Sequence, residues 1–202
     1  MPKIVDYAIR FECIREAVYD IVLRDGVAAI SLAAVAEELS MSESILRRLM
    51  ASATDLPELG MQWVQRREVT RWRSKDHQLR GTSPAIEGAN ALLALLPSTD
   101  ETCADARARR LLLRGFPASG WARSATAEDQ RVLAVLVELA VPPDLDEERR
   151  AFESARLTAL VIGAREAACT GEITPEDAVS MVRRHLCEQF AAWLGEQPGA
   201  AA

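Results

Sequence analysis

The stretch Ser31–Met50, SLAAVAEELSMSESILRRLM, reads as two short helices separated by a tight turn. Val35, Ala36 and Leu39 fall at helical spacing on one face, and Ile45, Leu46, Leu49 and Met50 do the same after the break. Ser31 and Ser42 each precede one of these runs, where a side-chain oxygen accepts an unpaired N–H of the first turn, so both are expected N-caps. The break, Ser40-Met41-Ser42, has the length of a helix-turn-helix, in which the second helix enters the DNA major groove and the first crosses the backbone.

Working outward, Ile9, Cys13, Ile14, Ala17, Val18, Ile21 and Val22 repeat at amphipathic-helix spacing, and Gly26 supplies a residue able to end that helix. With this bracing helix over Ile14–Gly26, Ser31 reopening and Leu56 following Ser52, the stretch resembles the DNA-binding domain of the TetR family of bacterial transcriptional regulators. By motif the resemblance covers roughly the first quarter to third of the chain, and beyond that it rests on length and helical pattern.

The resemblance implies a three-helix N-terminal DNA-binding domain over residues 1–53 and a helical ligand-binding and dimerisation domain over 54–202. It implies that Ser31, Ser42, Glu43, Ser44, Arg47 and Arg48 face a double-stranded DNA operator. Where the family has a phosphate-contacting Tyr, an inward Phe, a turn Gly and a phosphate-gripping Lys, this chain has Arg47, Met50, Ser40 and Ala53. A non-glycine residue in a left-handed turn costs about 1 kcal/mol. The family's basic arm is reduced here to Lys3 and Arg10 among Asp6 and Glu12. Read without the resemblance, Glu43, Arg47 and Arg48 are equally a solvated polar face.

Composition bounds the rest. The chain has 202 residues, 49% of them hydrophobic but only 5% aromatic, with many Ala, Leu and Arg, which favours an all-α fold. A net charge of −6 argues against indiscriminate nucleic-acid binding, so any DNA contact is local. Cys13, Cys103, Cys169 and Cys187 show neither C-x-x-C nor metal-ligand spacing and are expected as reduced thiols, three of them on apolar faces. No secretory leader pattern and no run of about 18 apolar residues occurs, so a soluble, cytoplasmic protein without membrane contact is expected.

Further along, Pro57 requires the fourth helix to begin late, capped by Thr54 or Asp55, with Leu56, Leu59, Gly60, Trp63 and Val64 as its buried stripe. The basic run Arg66, Arg67, Arg71, Arg73, Lys75 and Arg80 reads as a solvated face or as partner to acidic helices. Gly81-Thr82-Ser83-Pro84 breaks the chain before helices at Pro84–Leu96 and about Glu101–Arg114. The loop from Gly115 to Trp121 either lines a cavity or covers the end of a core. Thr126 is placed to cap a helix with Val132, Leu133, Val135, Leu136, Val137 and Leu139 inside, stopped by Pro142-Pro143. Trp63, Trp72, Phe116, Trp121 and Phe152 are candidate lining for an apolar pocket, though a core stripe would look the same.

The last two helices carry the strongest local signals. Leu145–Cys169 has Ala155, Ala159, Gly163 and Ala167 at four-residue spacing, and Thr174-Pro175-Glu176-Asp177 is a cap followed by proline and acid. Met181, Val182, His185, Leu186, Gln189, Phe190 and Trp193 mark the second stripe. Such a pair completes one core or forms a seam with its own copy. The resemblance implies the seam, hence a homodimer, and a mechanism in which a small apolar molecule releases a repressor from DNA; its alternative is a TetR-fold dimer with weakened DNA binding that acts as a ligand- or protein-binding module. Residues 198–202 are expected to fray. His77 and His185 do not converge, and no nucleotide, zinc-protease or serine-hydrolase motif occurs, so no enzyme, cofactor or metal is expected.

Overall fold

The structure, a computed structural model, describes residues 7–50, 52–79 and 84–195, with side chains at 7–50, 52–74 and 84–189. Lys3, the 81–83 break and the 198–202 tail lie outside them, as do the side chains of Lys75, His77 and Arg80. Among the described residues the order is α1 Tyr7–Asp25, α2 Leu32–Glu38, α3 Glu43–Leu49, α4 Leu56–Leu79, α5 Pro84–Ala94, α6 Asp100–Gly115, α7 Gly120–Ala140, α8 Glu147–Thr170 and α9 Pro175–Gly195, without strands. The all-α expectation holds.

The chain forms two compact units, and they do not part at residue 53. The first runs to Arg73 and takes in Arg107–Ala125; the second holds Ser74–Ala106 and everything from Thr126 on. In the first unit Ile14, Val18, Ile21 and Val22 of α1 pack with Leu32 and Val35 of α2, Leu46 of α3, Leu56, Met61 and Val64 of α4, and Ala108 and Leu112 of α6. Removing such side chains from water stabilises by roughly 1.5–3 kcal/mol each, so the α6 residues are part of this unit's core although about fifty residues downstream. Gly60 lets α4 approach closely, since a Cβ there would meet Val18 Cγ1 at 2.8 Å.

Start and stop signals read locally are mostly obeyed. Pro57 lies in the first turn of α4, which begins at Leu56 as the proline requires. The cap differs: Ser52 accepts Thr54 N–H at 3.2 Å and opens a 3₁₀ turn over Ala53–Asp55 ahead of the helix. Thr174 Oγ1 accepts Asp177 N–H at 3.1 Å at the start of α9, and Asp146 caps α8. Gly171, at φ +77°, ends α8 in the left-handed conformation.

In the second unit Leu92 and Leu96, Val137, Ala140 and Val141, Leu157, Val161 and Ala164 of α8, and Ala178, Val182 and Leu186 of α9 form the core. Two expectations fail here. α7 begins at Gly120, so Thr126 is interior to the helix; Ser119 Oγ, accepting Ala122 N–H at 3.2 Å, marks the true start. Val132, Val135 and Leu139 are exposed, because α7 turns Val137 and Ala140 inward. The four cysteines carry no disulfide and none is fully buried: Cys13 and Cys187 are exposed and Cys103 and Cys169 half-buried.

Candidate nucleic-acid interface

Ser31 sits in extended backbone at the entry to α2, and its Oγ accepts Ala34 N–H at 3.1 Å, so the first expected cap is formed. At the far end Ser40 N–H donates to Glu37 O at 3.0 Å and Met41 N–H to Ala36 O at 2.9 Å. This pair of bonds closes a helix through a left-handed residue. That residue is Ser40, at φ +50°, the only positive-φ non-glycine among the described residues. The turn therefore holds a serine in a conformation that favours glycine.

Ser42 stands at the N-cap of α3 in extended backbone, yet its hydroxyl does not cap; it pairs with Ser44 Oγ at 3.0 Å. Leu46 and Met50 anchor α3 in the core, with Met50 filling an inward position. Ser44, Arg47 and Arg48 are exposed, and Glu43 is half-buried. Arg47 pairs with Glu43 one turn back, an i,i+4 arrangement with the acid N-terminal. Among the described residues Arg48 has no ion-pair partner. Ile45 was expected on the buried face but is 40% exposed, because α3 turns Leu46 and not Ile45 into the core.

Charges around the motif are mixed. Residues 31–50 carry Glu37, Glu38 and Glu43 against Arg47 and Arg48, a balance of −1. Arg24 at the end of α1 pairs with Asp25 and with Glu38, both at 2.9 Å. Partial burial, with Glu16 and Glu38 nearby, raises the Asp20 carboxyl above its usual range. Exposed Ala53 brings no charge. Part of the basic run of α4 is engaged inside the unit: Arg66 pairs with Glu12 and Arg67 lies 5.6 Å from the Tyr19 ring centroid, while Glu68 of the same helix accepts from buried Arg109 of α6 at 3.2 Å.

No protein-family model and no curated protein matches the chain. Solved structures do. A transcriptional regulator from Rhodococcus sp. Rha1 aligns with a TM-score of 0.70 at 14% identity, over 90% of this chain and 96% of its own. A TetR transcription regulator from Haloarcula marismortui aligns at 0.67 and 17%, over 92% and 98%. A protein described as a transcriptional regulator from Saccharomonospora viridis, in complex with choline, aligns at 0.66 and 18%, over 91% and 96%.

The chain has the TetR-regulator fold.

Within that TetR fold the expected pocket residues are divided between the two units. Trp63, Trp72, Phe116 and Trp121 belong to the first unit, where Trp63 and Trp121 pack on its core and the Phe116 and Trp121 rings stand 6.1 Å apart. The loop from Gly115 to Trp121 thus covers a core end. Phe152 belongs to the second unit and is 62% exposed on α8. Among the described residues no three His, Cys, Asp or Glu are grouped to hold a metal ion, and no helix is long and apolar enough to cross a membrane.

The expected seam residues divide in two. Ala155, Ala159 and Gly163 are exposed and Ala167 half-buried, joined on α8 by exposed Phe152 and Ile162. On α9 Met181 and Gln189 are exposed, whereas Val182, His185 and Leu186 are buried in the chain's own core and are thereby removed from any seam. The side chains of Phe190 and Trp193 lie outside the described residues. Sequence periodicity missed Phe152 and Ile162 as members of the exposed α8 stripe, although both fall at its three- and four-residue spacing.

Proposed function

We propose that the protein is a TetR-like, ligand-responsive DNA-binding transcriptional regulator, a homodimer acting as a repressor released by a small apolar molecule. The observation that supports this most is α3, which is anchored by Leu46 and Met50 and turns Ser44, Arg47 and Arg48 to solvent behind a capped α2. Such a helix offers hydroxyl and guanidinium donors to phosphates and base edges. The exposed small-residue stripe of α8 supports pairing with a second copy, which a regulator needs to present two recognition helices one DNA turn apart. An effector acts here only through a difference in affinity between DNA-competent and incompetent forms.

Gel shift or footprinting with the DNA beside its own gene, at stated salt, tests the reading. Arg48→Glu is expected to abolish specific binding while leaving the thermal melt unchanged, and Arg47→Glu to weaken it less, because Arg47 is already engaged by Glu43. Absence of specific binding by the wild-type chain at every ionic strength would count against the proposal. A second reading, a TetR-fold dimer that binds a ligand or protein without strong DNA affinity, is favoured by uncharged Ala53 and the acidic balance of residues 31–50. Under it Arg48→Glu changes little.

A further inference from the structure

We infer that Ile45 reads DNA directly, its side chain meeting the 5-methyl group of a thymine in the major groove with Arg48 on a guanine close by. This rests on the proposed regulator reading. Ile45 leaves 40% of its surface in water on a helix whose attachment to the core is already supplied by Leu46 and Met50. Its exposure has no structural use in the first unit.

The surface of α3 sorts into two flanks. On one, Glu43 and Arg47 are tied to each other. On the other, Ser44, Ile45 and Arg48 lie together at i, i+1 and i+4, all exposed, and among the described residues no carboxylate pairs with Arg48. A hydroxyl, a branched apolar side chain and an unengaged guanidinium match what one stretch of major groove displays. Thymine alone presents a methyl group there, and guanine presents the N7 and O6 acceptor pair to which a guanidinium donates best.

The spacing agrees. Residues three apart on a helix are separated by roughly 4.5 Å along its axis, and neighbouring base pairs by about 3.4 Å. Ile45 and Arg48 therefore reach base pairs no more than two steps apart, and each half-site should contain a thymine within two base pairs of a guanine.

The full-length protein is used to select duplexes from a random-sequence pool at one salt concentration, and each thymine of the selected site is then replaced singly by deoxyuridine, which deletes only the methyl. The wild-type chain is expected to lose about fourfold in affinity at one thymine per half-site, the fold-change of one buried methyl-sized group. Ile45→Ala is expected to bind the thymine and deoxyuridine duplexes equally. A selected site at which the wild-type chain ignores every such replacement overturns the inference and leaves the regulator reading standing, as does an Ile45→Ala variant that keeps the full penalty. If no sequence is enriched, the regulator reading fails and the inference falls with it. Because the methyl is removed from the DNA, the wild-type result does not depend on how well any variant folds, and the Ile45→Ala comparison is made with variant protein that still binds the selected site.

Discussion

Ser40 carries the clearest local conflict in the molecule. Its φ of +50° closes the turn between α2 and α3, and an L-residue with a Cβ is disfavoured there by about 1–2 kcal/mol. Its side chain is exposed, so nothing is lost by removing it. Ser40→Gly is expected to raise stability by about 0.5–1 kcal/mol, the entropy of a more flexible unfolded glycine offsetting part of the relief. Chemical denaturation would show this as a higher midpoint at constant slope; an unchanged or lower midpoint refutes it. His185 offers a second test. Burial, aided by the charge of Arg156 and opposed by Glu153 and Glu188, pushes its imidazole below the usual 6.5. The unfolded chain then binds more protons than the fold as pH drops below about 6.5, so the stability of the neutral buried form is present above that range and lost on acidification. Melting temperature should fall from about pH 7 to pH 5, and His185→Leu should flatten that slope; equal slopes in the two proteins would remove His185 as the cause.

Between elements, α5 comes close to α7 at Gly88 in the second unit. A Cβ there would stand 2.8 Å from Leu139 Cβ and 2.9 Å from the Ala140 backbone N, so one helix has to move. Alanine normally exceeds glycine in a helix by about 1 kcal/mol, but an overpacked core costs about 1–3 kcal/mol and backbone cannot rotate out of the way. Gly88→Ala is therefore expected to destabilise by about 2 kcal/mol in urea titration, and a stabilised variant would show that the crossing has slack. At the same scale, two arginines of α4, Arg66 and Arg67, are engaged by Glu12 and Tyr19 of α1.

For the whole molecule, the exposed α8 stripe from Phe152 to Gly163 is the surface on which a homodimer would be built. A Cβ at Gly163 would meet nothing within 4 Å inside one chain, so the space beside the stripe is available to a partner helix. Ala159→Glu, at an exposed position, should leave the melt of the single chain intact and shift sedimentation from dimer to monomer, whereas a monomeric wild-type chain would remove the stripe from the account. By itself the sequence determined the all-α class, the helix-turn-helix between Ser31 and Met50, the late start of α4 at Pro57 and the start of α9 at Thr174. These are set by contacts within three or four residues: a cap oxygen reaching an N–H one turn on, or a ring excluding a helical position. What only the tertiary structure decided was the joining of Arg107–Ala125 to the first unit, the outward turn of Ile45, the exposure of Val132, Val135 and Leu139, and the withdrawal of Val182, His185 and Leu186 into the core. Periodicity shows that a helix has an apolar side, but which of two adjacent apolar residues is buried depends on the element packed against it, and that element lies far away in the chain.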